Sequence, residues 1–89
     1  MLKISKTGQF KRDYKLCVRR GYNINLLIET IKTLTIPAAL PDKNRDHSLL
    51  GEYAGHRECH IAPDWLLIYR IDGDELMLYR TGTHSDLFQ

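Results

Sequence analysis

Residues Trp65 to Arg80, WLLIYRIDGDELMLYR, decide the fold. Trp65 to Ile71 is a near-continuous run of apolar strand formers and predicts the central strand of a sheet. Asp72-Gly73 is a strong two-residue hairpin signal, so the chain returns as an antiparallel strand from Glu75 to Arg80. Upstream, Arg57 to Ile61 reads as a strand with Glu58 and His60 on one face and Cys59 and Ile61 on the other, towards the core. Ala62, Pro63 and Asp64 break that strand and turn it back into Trp65, which makes a meander of three strands.

Working outward, Leu2 to Ser5 alternates with period two and predicts a short strand with one buried face. Phe10, Tyr14, Cys17 and Val18 recur at helical spacing, with Thr7 as N-cap and Gly21 as C-terminal stop. A second helix begins near Asn23 or Asn25 and presents Ile24, Leu27, Ile28, Ile31 and Leu34 as an apolar stripe before Pro37 ends it. Gly21 and Tyr22 leave room only for a tight antiparallel helix pair. A long loop from Ile36 to Arg45 delivers His47, Leu49 and Leu50 read as a short strand, and Glu52 to Gly55 as a turn. The expectation is a single α+β domain over residues 1–89: an N-terminal strand and two-helix hairpin packed on one face of a mainly antiparallel sheet of four to five strands. The other face is expected to stay open, with His60 pointing into it.

Composition sets bounds on function. The chain is 43% hydrophobic and 27% charged, as in ordinary water-soluble domains, and no apolar run reaches membrane-spanning length. MLKISKTGQFKRDYK lacks the apolar stretch of a secretory signal, so a cytoplasmic protein is expected. Cys17 and Cys59 match no metal-site spacing and read as two reduced core thiols. The net charge is only +2, yet seven of the thirteen Lys and Arg lie in the first twenty residues, where Asp13 is the sole acid. Lys11, Arg12, Lys15 and Arg19 therefore form a basic helix face suited to polyanions or an acidic partner.

Chemistry concentrates in His47, His60, His84 and Asp64, the side-chain types whose proton affinities suit transfer near neutral pH. Meander geometry brings the strand of His60, the turn of Asp64 and the tail after the last strand to one edge of the sheet. A zinc site on His56, Cys59 and His60 is disfavoured, because residues four apart on a strand are separated by about 13 Å. No nucleophile elbow and no phosphate-cradling glycine loop is present. Trp65 and Phe88 are each open to a core or a base-stacking role. Arg57, Arg70 and Arg80 are open to phosphate binding or to cross-strand pairing with Glu58, Asp72 or Glu75.

Three segments together, DHSLLG at 46–51, RECHIAPDWLLIY at 57–69 and RTGTHSDLF at 80–88, resemble the YafQ branch of the RelE/ParE toxin superfamily. The resemblance implies a RelE-like fold and a type II toxin–antitoxin toxin. It implies a ribosome-dependent endoribonuclease that cuts translated mRNA in the A site by 2′-hydroxyl attack, with no metal or other cofactor. The family's functional positions fall on His47, His60, Asp64, Trp65, His84 and Phe88. On this reading His84 is the general acid, Asp64 or His60 the base, and His47 with Arg80 holds the phosphate. Trp65 and Phe88 contact RNA, and Lys11, Arg12 and Lys15 reach nucleic-acid phosphates or the antitoxin. The implied partners are a cognate acidic antitoxin, the 70S ribosome and mRNA, with operator DNA only through the antitoxin and no membrane. Two rivals stand beside it: a metal-dependent nuclease using His56, His60 and His84, and a non-catalytic module that binds an antitoxin and its operator.

Overall fold

The computed structural model describes residues 1–36, 44 and 46–88, so most of the expected loop from Ile36 to Arg45 lies outside the described residues. The elements are β1 (Lys3–Lys6), α1 (Gly8–Arg19), α2 (Ile24–Thr35), β2 (His47–Ser48), β3 (Arg57–Ala62), β4 (Trp65–Asp72), β5 (Glu75–Gly82) and a one-turn helix α3 (His84–Leu87). They form an α+β domain on a five-stranded sheet of order β1-β5-β4-β3-β2. Every pairing is antiparallel except β1 with β5, so the sheet is mixed. The β4–β5 hairpin turns at Gly73-Asp74, where Gly73 takes φ +61°. Glycine adopts that left-handed conformation without the clash a side chain would bring.

β4 is central, and its apolar stretch Trp65 to Tyr69 is buried because both faces are covered there, whereas Arg70, Ile71 and Asp72 are exposed. Trp65, Leu67 and Tyr69 pack with Phe10 and Cys17 of α1 and with Leu27 and Leu34 of α2. Leu66 and Ile68 point the opposite way, into a second cluster with Tyr53 and Leu87. The face expected to stay open is thus partly closed: Tyr53 comes from the turn at Gly51–Tyr53, Leu87 from α3, and the Tyr53 hydroxyl donates to the Leu87 carbonyl at 2.7 Å. Hiding two branched aliphatic side chains there is worth ~1.5–3 kcal/mol each, enough to fold the tail back onto the sheet.

α1 starts as its sequence predicts, with the Thr7 hydroxyl accepting from the Phe10 amide. Its roll differs from the apolar count. Phe10, Asp13 and Cys17 are buried, whereas Tyr14 and Val18 are partly exposed. The cause is Asp13, whose carboxylate accepts from Arg80 Nε and Nη2, each at 3.0 Å, and from the Thr81 amide at 3.2 Å. Three donors on β5 outweigh one more apolar contact, since a buried carboxylate needs partners. Ile4 of β1 is half exposed, contrary to the expected buried face, because β1 is an edge strand. Leu49 and Leu50 follow a strand rather than form one, as β2 is His47–Ser48. Cys17 and Cys59 are buried free thiols, and burial pushes the Cys59 thiol up to about 12.

Two irregularities aim side chains at one end of the sheet. Ile61 is an extra residue opposite the Trp65–Leu66 step, and Tyr79 is an extra residue opposite Ile68–Tyr69. Such bulges bend a strand and reorient the residues beside them.

Candidate active site

The site assembles at one end of the sheet, from β2 and β3 on one side and the segment after β5 on the other. β2 meets β3 with His47 opposite Glu58, so these side chains share a face, and His60 lies two residues further along the same face. His47 Nε2 is 2.8 Å from Glu58 Oε2, and His60 Nε2 is 4.0 Å from that oxygen. The Glu58 side chain is only 4% exposed. Its other oxygen, Oε1, is buried and without a hydrogen-bond partner among the described residues.

From the other side, β5 ends at Gly82 and Thr83 caps α3 with a full capping box. Its hydroxyl accepts from the Asp86 amide, and Asp86 accepts from the Thr83 amide. The box places His84 at the first helical position, where its main-chain N–H donates to Asp64 Oδ1 at 3.0 Å and its ring Nδ1 lies 2.8 Å from the same oxygen. The His84 N–H and ring hold the Asp64 carboxyl below its usual range, so it stays an anion beside the imidazole. With Nδ1 tied to Asp64, Nε2 is the atom left for chemistry.

The rings form a row. His47 and His60 have centroids 6.5 Å apart, His60 and His84 5.9 Å, and His84 and Phe88 6.1 Å. Phe88 rests edge-on against Tyr53 and keeps its outer side exposed. Five predicted residues, His47, His60, Asp64, His84 and Phe88, therefore converge.

The others do not. Trp65 is 4% exposed, its indole donates to the Thr81 hydroxyl at 2.9 Å and its ring meets Tyr22 at 4.9 Å. Its ring and N–H are thus both engaged within the fold, and it packs as core beside the turn of Asp64. Arg80 donates Nε and Nη2 to Asp13, so it braces β5 against α1. Lys11, Arg12 and Lys15 are exposed on α1, and no contact among the described residues joins them to the ring row. Lys11 and Lys15 instead line a groove of about 490 Å³ between the helices, beside Tyr14 and Ile28. The arginine pairings resolve as Arg57 with Asp46, Arg70 with Asp72 and Arg80 with Asp13.

Glu58 is the residue that sequence reasoning passed over. Strand alternation already placed it beside His60, but its pairing with His47 depends on the two-residue strand β2, which has no periodic signal. His56, by contrast, stacks on Tyr79 at 4.3 Å. Among the described residues no group of three His, Cys, Asp or Glu side chains is placed to hold a metal ion.

Gly82 in the RTGTH segment has a steric cause. A Cβ there would stand 2.8 Å from Asp86 Oδ2 and 3.0 Å from Asp86 Cβ, inside the capping box. Gly82→Ala is expected to displace α3 with His84 and lower turnover by about 10²-fold, the usual cost of an ångström-scale misplacement. Cleavage assays on a variant shown by circular dichroism to be folded check this.

Asp86 is held well below the usual carboxylate range, first by Arg20, whose Nη1 donates at 2.7 Å, and then by the Thr83 cap. A carboxylate depressed in the folded state adds stability that is present above its unfolded pKa and is lost as pH falls through its folded one. Stability is expected to drop below about pH 4, and Asp86→Asn to flatten that drop by about 1–2 kcal/mol. Urea midpoints between pH 6 and pH 2 measure it.

Comparisons with known proteins bear on the fold and the family. A family model described as "Bacterial toxin of type II toxin-antitoxin system, YafQ" matches residues 2–89. The mRNA interferase toxin YafQ of Escherichia coli K12 is 40% identical over 88 residues, covering 96% of this chain and 94% of the relative. The crystal structure of YafQ from E. coli BL21(DE3) superposes with a TM-score of 0.94 at 36% identity over all of both chains. A chain of the E. coli DinJ-YafQ complex does so with a TM-score of 0.88 at 38% identity, again over all of both.

Proposed function

Because the chain belongs to the YafQ family of type II toxin–antitoxin toxins, we propose that it is an mRNA interferase that enters the translating ribosome and cuts message by attack of a ribose 2′-hydroxyl on the adjoining phosphorus. The observation that carries this reading is the row His47, His60, His84 and Phe88, with Asp64 behind His84. His60 and His84, with ring centres 5.9 Å apart, leave a gap that one phosphate group bridges.

In this mechanism His60 takes the proton of the attacking 2′-hydroxyl. His84, an imidazolium backed by Asp64, gives its proton from Nε2 to the departing 5′ oxygen. The products are a 2′,3′-cyclic phosphate and a free 5′-hydroxyl. Asp64 is better suited to orienting His84 than to acting as base, since one of its oxygens already serves two His84 groups. Glu58 Oε2, 4.0 Å from His60 Nε2 and 2.8 Å from His47 Nε2, holds both rings in place beside the phosphate. Phe88 offers its exposed side to a base. Every proton transfer runs between side chains and substrate, so the scheme uses no metal.

DinJ is named with YafQ in the E. coli complex, and we propose an acidic antitoxin as the partner of this chain, acting in the cytoplasm where translated message is found. No described helix is long and apolar enough to cross a membrane. Lys11→Glu with Arg12→Glu is expected to weaken both ribosome and antitoxin binding by about tenfold or more through lost phosphate and carboxylate contacts. Sedimentation with ribosomes and titration with the antitoxin measure the two effects.

The experiment for the whole reading is induction in cells with mapping of RNA 5′ ends. Growth arrest with cuts inside translated messages, absent when the start codon is removed, is the expected result. Cuts in untranslated RNA would remove ribosome dependence. A protein stripped of metal before it meets ribosomes should stay active; loss of activity that zinc restores would favour the metal-dependent nuclease. Neither arrest nor cleavage would favour the non-catalytic binding module.

A further inference from the structure

We infer that a second cleft, on the far side of Asp64 from the ring row, receives a nucleobase of the RNA next to the scissile phosphate; this rests on the endoribonuclease reading above. The cleft holds about 320 Å³ between the α1–α2 corner and the β3–β4 turn, and Tyr22, Asn23, Leu26, Ala62, Asp64 and Trp65 line it. Thr83, the N-cap that sets His84, lines it too.

Contiguity is the first argument. Asp64 lines the cleft and also holds His84 by two contacts to one oxygen, so a strand whose phosphate lies at His84 runs past the cleft mouth at its neighbouring nucleotide. The second is a ring already fixed in place. Tyr22 stands edge-on to Trp65 at 4.9 Å and 60°, and the Arg20 guanidinium lies 5.9 Å from the Tyr22 ring centre. Arg20 is itself tethered to Asp86 at 2.7 Å. A stacking platform held from two sides loses little freedom when a base arrives, and aromatic stacking serves any base.

Asn23 supplies the discriminating group. It occupies the N-cap position of α2, yet its side chain makes no capping hydrogen bond. It is exposed on the cleft wall with both an amide donor and an amide acceptor to offer. A mostly apolar cleft with one such polar group is the usual makeup of a small-ligand site, and an amide reads the edge of an unstacked base. The substrate class assigned to the cleft is thus a single unpaired nucleobase, selected by Asn23 and stacked by Tyr22.

The test is 5′-end mapping after induction of the full chain, comparing parent, Asn23→Ser and Tyr22→Leu. Serine is itself a favoured N-cap residue, and leucine preserves apolar contact with Trp65, so both variants are expected to fold, as circular dichroism would verify. Asn23→Ser is expected to flatten base preference at one position beside the cut by about five- to tenfold. Tyr22→Leu is expected to lower cutting at all sites by about tenfold without altering the preference at other positions. Unchanged base distributions and rates in both variants, with a parent that cuts, would overturn the cleft assignment and leave the endoribonuclease reading intact. A parent that does not cut would overturn both.

Discussion

His84→Ala is expected to lower message cleavage by ~10²–10⁴-fold, the range for loss of a positioned proton donor, while leaving the fold in place. The side chain is 54% exposed, and the helix it sits on is capped by Thr83 and Asp86 rather than by the ring. Little packing is therefore lost, and the effect falls on chemistry. Asp64→Asn separates orientation from charge, since an amide oxygen still accepts from the His84 N–H but no longer balances an imidazolium. A smaller loss than that of His84→Ala is expected. Equal turnover by His84→Ala and the parent on translated message would remove His84 from the reaction.

Asp13→Ala is expected to cost ~2–4 kcal/mol of folding stability, a large share of the total for a domain of this size. Asp13 is the buried acid of the helix face and satisfies two guanidinium donors and the Thr81 amide. Removing it leaves the Arg80 charge, whose side chain is 22% exposed, with only partial access to water. That residual exposure sets the estimate below the cost of a fully buried pair. Arg80→Met in the same chain should recover part of the loss, because it removes the orphaned cation. Urea unfolding of the single and double variants measures both, and a single-variant change under about 0.5 kcal/mol would show that the pair is not holding α1 to β5.

The meander was readable because alternation, a turn and a glycine hairpin signal all lie within short reach. The site was readable in outline for the same reason: His60 and Asp64 belong to that meander, and the His84–Phe88 tail follows it directly. What stayed hidden depends on partners distant in sequence. Nothing near Asp13 announces Arg80, 67 residues away, so the roll of α1 followed its apolar residues instead. Glu58 stayed unassigned because β2 is too short to show a register. Trp65 carried the resemblance to a functional position, yet only the tertiary structure reveals that Tyr22 and Thr81 have already claimed its ring and its indole N–H.

The parallel pairing of β1 with β5 has a consequence in time. Lys3 lies opposite Glu75, so the first strand made must wait for nearly the last before the sheet can close. His84 and Phe88 come later still. While the chain is being made, its first strand lacks its sheet partner and the row of His47, His60, His84 and Phe88 is unfinished. Closure of the sheet, and with it the placing of His84 beside Asp64, is therefore complete only after β5 has been made.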